Sequence, residues 1–297
     1  GYDLTGVFVG SEGTLGIATE ITLRILKSAE SICVLLADFT SIEAAGASVS
    51  DIISAGIIPG GMEIMDNLSI NAVEDVVATN CYPRDATAIL LVEIDGLAVE
   101  VAENKQRIAE ICKKNGARNI TIASDAEQRL KLWKGRKAAF AAAGHVSPDY
   151  YVQDGVIPRT QLPYVLAEIE ALSLKYGYRI ANVFHAGDGN LHPLILFDNS
   201  IPGELEKVEE VGGQVLKLCV KVGGSISGEH GIGADKKCYM PEMFTEADLE
   251  TMQWVRQAFN PKGLANPGKI FPTPRTCGEA AKAMGEIAKK FEEVERF

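Results

Sequence analysis

The sequence predicts an α+β protein: a ferredoxin-like domain with a large antiparallel sheet flanked by helices. Three observations lead there. Hydrophobic residues make up 46% and charged residues 23% of the 297 positions, a globular composition with length for a large core and two lobes. Between residues 31 and 124 the periodicities run strand-helix-strand twice, with an extra helix between the halves. Between 149 and 222 a second alternation repeats half of that pattern, so both can extend one sheet.

Taken in order, residues 1–27 carry glycines at 6, 10, 13 and 16, which mark turns or close backbone approach, and Ile17 to Leu26 alternates as a strand would. The glycine order is not the G-x-G-x-x-G of dinucleotide-binding units, so spacing alone indicates a structural turn. Strands are expected at 32–39, 58–65, 87–94 and 118–123, and helices at 42–55, 67–79 and 98–115. No titratable cluster stands out in that stretch, which reads as scaffold. A helix over 125–143 has Asp125 as N-cap and Gly144 as stop, with Arg129, Trp133, Arg136 and Phe140 on one face. An arginine on an aromatic stripe suits a carboxylate clamp, although a packed stem with its head in solvent is the plainer alternative. Strand 149–157, helix 160–176, strands 178–185 and 191–197 and helix 203–222 follow. A helix over 245–259 ends at Asn260-Pro-Lys-Gly, and the tail from 273 has the spacing of a short amphipathic helix.

The net charge of -11 argues against general attraction to nucleic acid or anionic lipid, so an anionic substrate would need its own local cation. The six cysteines are scattered without a Cys-x-x-Cys pair, which suggests neither a disulfide framework nor a thiolate zinc site and fits reduced, cytosolic thiols. No apolar run reaches membrane-spanning length. The chain opens on Gly1, with residues that look like the interior of a folded unit, and reads as a fragment.

The densest chemistry lies in His185-Ala-Gly-Asp-Gly-Asn-Leu-His192 and Ser227-Gly-Glu-His-Gly231. With Gly187 to Asn190 as a four-residue loop, Ala186 pairs with Leu191 and His185 faces His192, so two imidazoles converge from one sheet face. Gly187 and Gly189 would supply positive φ. Glu229 would complete a two-histidine, one-carboxylate set that suits zinc and also fits manganese or iron, with a position open for water or substrate. His230 remains as an acid or base. Hydrogen-bonded core histidines are the alternative.

These motifs, with Gly10-Ser-Glu-Gly-Thr-Leu-Gly-Ile17, Trp133-Lys-Gly-Arg136, Asp154-Gly-Val-Ile-Pro-Arg159 and Asn266-Pro-Gly-Lys269, resemble the FAD-linked oxidases of the vanillyl-alcohol oxidase group. The likeness is strongest to glycolate oxidase flavin subunits and D-lactate dehydrogenases, over residues 1 to about 272. It implies that 1–27 ends an FAD-binding domain, 28–244 forms the substrate or cap domain, 245–272 returns to the FAD domain and 273–297 is a tail helix. Ser11, Glu12, Gly13, Thr14, Gly16, Ile17 and Asn266 would line the flavin. Arg136 would hold a substrate carboxylate, His185, His192 and Glu229 a divalent metal, and His230 would act as base. Hydride would pass from a small D-2-hydroxy acid, of glycolate or D-lactate type, to FAD.

The pyrophosphate-binding half of the FAD domain is absent from this sequence, so the fragment alone is expected neither to hold FAD tightly nor to catalyse. Relatives acting on D-2-hydroxyglutarate carry a lysine and an asparagine where Val152 and Leu194 stand, which disfavours that dicarboxylate. The electron acceptor, whether quinone, electron-transfer protein or oxygen, could draw a cytoplasmic protein to a membrane periphery. A homodimer or a partner subunit is compatible with the sequence. A metal-dependent hydrolase and a non-catalytic subunit without its own flavin site are the competing classes.

Overall fold

The computed structural model describes residues 1–272, so the helix expected over 273–297 lies outside the described residues. The described residues separate into two compact units, one spanning Leu26–Gly228 and the other combining Gly1–Ile25 with the described residues from Glu229 onward. In chain order the elements begin with a four-residue helix α1 (Thr5–Phe8), then β1 (Ser31–Phe39), α2 (Ile42–Ser54), β2 (Gly61–Asp66), α3 (Asn67–Val76), β3 (Ala88–Gly96), α4 (Ala98–Lys114) and β4 (Asn119–Ile122). The second half holds α5 (Ala126–Val146), β5 (Asp149–Val152), β6 (Gly155–Val156), α6 (Leu162–Tyr176), β7 (Ile180–His185), β8 (Asn190–Leu191), β9 (Pro193–Phe197) and α7 (Glu204–Lys221). Helices α8 (Met240–Met243) and α9 (Glu246–Phe259) follow.

The Leu26–Gly228 unit is the expected α+β sheet. Its strands run in the order β4-β1-β3-β2-β7-β8-β6, with β9 beside β7 and β5 beside β9, and every pairing is antiparallel. The first four give the ferredoxin-like order, and β7 joins the second half by pairing with β2. Helices cover both faces. Leu35, Ala37, Phe39, Ile64, Leu90 and Phe184 meet α2, α4, α6 and α7 in one core. Val34, Leu36, Met65, Ile89, Leu91 and Val183 meet α3 and α5 in the other. Burial on both faces explains why β1 and β3 read as nearly continuous apolar runs.

Polar residues fix where elements start. Ser41, Asp66 and Asp125 cap α2, α3 and α5 by accepting from Ala44 N, Ser69 N and Gln128 N. Asp66 also accepts from the backbone N of Asn182, at 2.7 Å, and so ties the α3 cap to β7.

Three expectations about local structure give way. Helix α5 runs through Gly144 to Val146, because a glycine stops a helix by turning left-handed and Gly144 is not among the positive-φ residues. Ser147 ends the helix in extended backbone, with its hydroxyl donating to Phe197 O. The strand expected over 149–157 is two strands, since β5 pairs with β9 while β6 pairs with β8, and the break buries Gln153 and Asp154. Ile17 to Leu26 alternates but forms no strand, because it makes no ladder with any described strand. Its apolar side chains stay exposed, Ile17 at 86% and Ile25 at 89%.

Candidate active site

The histidine hairpin forms with a register two residues from the expected one. His185 pairs with Asn190, the loop is Ala186 to Gly189, and His192 lies between β8 and β9. A shift of two along one strand keeps every side chain on its face, whereas a shift of one would have turned His192 away. The imidazoles therefore still converge, as a diagonal pair with ring centroids 5.0 Å apart and planes at 89°. Phe140 of α5 lies edge-on to His192 at 5.8 Å. Of the two loop glycines only Gly189 has positive φ, +74°, and a Cβ there would stand 2.2 Å from Ile157 O. Gly189 O accepts from Ile157 N, and Arg159 Nη1 donates to Gly187 O, so the loop is held from both sides.

Each histidine faces a carboxylate. Glu63 of β2 pairs directly with His185 across the ladder, and its Oε1 is 2.9 Å from His185 Nδ1. Its Oε2 accepts from Arg136 Nε at 3.0 Å and pairs with Nη2 at 2.9 Å. Arg136 is buried, at 6% exposure, so its head does not reach for solvent. Asp154, in the break between β5 and β6, has no exposed surface and places Oδ1 3.5 Å from His192 Nε2. Its Oδ2 accepts from Ser227 Oγ and Gly228 N, which pins the chain immediately before Glu229. Gly228 cannot carry a side chain, since a Cβ would lie 2.5 Å from Asn190 Oδ1.

Glu63 and the role of Asp154 were not found by sequence reasoning. Glu63 sits in the stretch read as scaffold, and its signal is a lone carboxylate inside the apolar run Met62-Glu-Ile-Met65. Val152 and Leu194, the positions matched to a lysine and an asparagine, prove to be cross-strand partners in an apolar wall.

The other unit holds the remaining expected residues. Glu229 and His230 open it, both exposed, with Oε1 and Nε2 3.7 Å apart. The Glu12 carboxylate accepts from Ile232 N and Gly233 N, each at 2.7 Å, so it braces the segment after His230. Asn266 Nδ2 donates to Glu12 O, and Thr14 Oγ1 donates to Ser11 O. Glu12 at φ +51° and Asn266 at φ +43° are both left-handed without being glycine, a conformation that stores local strain in these loops. Gly16 is partly buried, and Ile17 projects outward.

Residues 28–270 match the family described as FAD linked oxidases, C-terminal domain. The chain belongs to that family. It is 52% identical over 298 residues to the glycolate oxidase subunit GlcD of Escherichia coli (strain K12), covering 100% of this chain and 60% of that subunit. It is 36% identical to GlcD of Bacillus subtilis, over 91% of this chain and 57% of the relative. With a probable mitochondrial D-lactate dehydrogenase of Danio rerio it shares 32% identity, over 94% of this chain and 56% of the relative. The chain thus spans less than two thirds of these relatives. Among solved structures, a 4-ethylphenol oxidase from Gulosibacter chungangensis aligns with TM-score 0.62 at 12% identity, over 84% of this chain and 56% of that one. An alkyldihydroxyacetonephosphate synthase aligns with TM-score 0.62 at 15% identity, over 90% of this chain and 50% of that one. Both are likenesses of fold. Among the described residues of this FAD-linked oxidase domain, no helix is long and apolar enough to cross a membrane.

Proposed function

We propose that this chain is the substrate-holding and metal-holding part of an FAD-dependent enzyme that oxidises a small D-2-hydroxy acid, of glycolate or D-lactate type, to the 2-oxo acid. The observation that carries the reading is the shared carboxylate of Glu63. It holds as one hydrogen-bonded group a buried guanidinium, which suits a substrate carboxylate, and the imidazole of a candidate metal ligand, which would place a cation beside that carboxylate. The likeness to glycolate oxidase subunits and a D-lactate dehydrogenase supports it.

In this reading Arg136 binds the substrate carboxylate through the Nη1 end, because Glu63 takes the Nε and Nη2 edge. His185, His192 and Glu229 hold a divalent cation, zinc first among zinc, manganese and iron, and the donor set fits: Nδ1 of His185 already rests on a carboxylate, as in metal-ligating histidines. When bound, the cation supplies Lewis acidity at the substrate hydroxyl. His230 takes the hydroxyl proton. Bound FAD supplies the acceptor for the electron pair and the α-hydrogen. Ser11, Gly13, Thr14, Gly16, Ile17 and Asn266 face that flavin, with Glu12 contributing through its backbone while its carboxylate stays on Ile232 and Gly233. The apolar Val152 and Leu194 pair favours a monocarboxylate. The electrons pass on to a quinone, an electron-transfer protein or oxygen, with a partner subunit as one route.

The test is anaerobic mixing of the full-length flavoprotein with glycolate and with D-lactate, followed by flavin absorbance. One of them should bleach the flavin, and chelation should abolish the bleaching. His230→Ala should slow it by about 10²- to 10⁴-fold with flavin and metal retained. Near-full reduction by that variant would remove His230 from the mechanism.

A further inference from the structure

We propose that Glu63 is a positioning residue that couples the two halves of the site, fixing the His185 ring for a metal and the Arg136 fork for a substrate carboxylate with one side chain. This rests on the reading of His185 as a ligand and of Arg136 as the carboxylate clamp, and it assigns the residue that makes the two depend on each other.

The placement follows from strand periodicity. In β2, Met62 and Ile64 enter one core and Met65 the other, so Glu63 lies on the Met65 face, beneath α5. Its neighbours in the ladder are Leu91 of β3 and His185 of β7. An ionised carboxylate in such a place must be satisfied on both oxygens, and it is: Oε1 meets His185 Nδ1 and Oε2 meets Arg136 Nε and Nη2. The two oxygens serve different groups, so a change at one is felt at the other.

The chemistry at each end is specific. A carboxylate against Nδ1 keeps the ring proton on that nitrogen, leaving the lone pair on Nε2, and it fixes the ring plane. A carboxylate on the Nε and Nη2 edge fixes the plane of the guanidinium, so that its remaining end is presented in one orientation. Arg136 in turn balances the charge that Glu63 brings to the histidine. A plain buried ion pair would stabilise the sheet without setting either tautomer or fork.

The experiment compares wild type, Glu63→Gln and Glu63→Leu in the full-length flavoprotein. Zn(II) is titrated into metal-free protein against a chromophoric competitor, the His185 tautomer is read by ¹⁵N NMR of labelled histidine, and KM and kcat are measured with the better of glycolate and D-lactate. Glu63→Gln keeps an acceptor for Nδ1–H but loses the charge opposite Arg136, so it should keep the tautomer and raise KM more than it lowers kcat. Glu63→Leu should lose both, with Zn(II) affinity falling about 10- to 100-fold. If Glu63→Leu does not fold, Glu63→Gln decides alone, and an unchanged KM with it overturns the proposal. Two folded variants with wild-type Zn(II) affinity and wild-type KM overturn it equally. If wild type itself takes up no Zn(II), the metal reading fails separately. Glu63 then stands on the Nδ1-protonated tautomer and the KM change, and falls if the wild-type proton is on Nε2.

Discussion

The two units spend their apolar residues in opposite ways. In the sheet unit, strand residues such as Leu35, Ile64 and Phe184 are sealed between helices. In the other, Met240 is the one buried apolar side chain among the described residues, and Ile17, Ile21, Leu23, Ile25, Trp254 and Leu264 are exposed. What orders that unit is a set of polar ties, Glu12 to Ile232 and Gly233, Asn266 to Glu12, and Asn260 to Leu264. Such ties give little protection against opening once water competes for them, so the first unit should behave as a cooperative core and the second as a locally labile one.

The sharpest way to break that contrast is to delete apolar volume in each. Phe184→Ala removes a fully buried ring and should cost about 3–5 kcal/mol in denaturant unfolding. Ile21→Ala, at an exposed position, should stay within about 0.5 kcal/mol. Comparable losses would mean that residues 17–25 are packed against something in solution.

A smaller effect tests whether polar ties matter where a core already exists. Glu74 at the end of α3 accepts from Thr79 Oγ1 and from the backbone N of Asn80, Cys81 and Tyr82, and so folds the loop into β3. Burial pushes its carboxyl up, but these donors together bring it below the ordinary glutamate value. A depressed value means stability that is present above the unfolded-state pKa and lost as pH falls through the folded one. Glu74→Gln should therefore cost about 1–3 kcal/mol at neutral pH. The gap to wild type should close in acid, and a gap independent of pH would point to packing instead.

How much was legible follows the same division. The ferredoxin-like order, the joined sheet and the meeting of His185 with His192 were readable because burial makes periodicity obligatory, and because an even register shift spares the face. Glu63 was hidden because its two partners, Arg136 and His185, lie 73 and 122 residues away, and neither reveals itself locally. The failed strand at 17–26 shows the converse: alternation states which face is apolar, not whether a neighbouring strand exists to take the backbone hydrogen bonds. The continuation of α5 past Gly144 depended on φ, which glycine leaves open.

The smallest effect probes the labile unit itself. Helix α9 has no buried residue, so packing does little to hold it and its N-terminus must be fixed locally. Thr245 and Asp248 form a capping box there: Asp248 N donates to Thr245 Oγ1, and Asp248 Oδ2 accepts from Thr245 N and its hydroxyl. Thr245→Ala should cost about 1 kcal/mol locally. It should appear as faster hydrogen exchange of the first-turn amides of α9 while the exchange of β1 and β3 stays unchanged. The same bonds hold the Asp248 carboxyl below its usual value, so the cap is intact above the ordinary aspartate range and fades as pH falls through the depressed one. If Thr245→Ala instead lowered the protection of β1 and β3 to the same degree, the two units would be unfolding as one, and the distinction drawn from their cores would be lost.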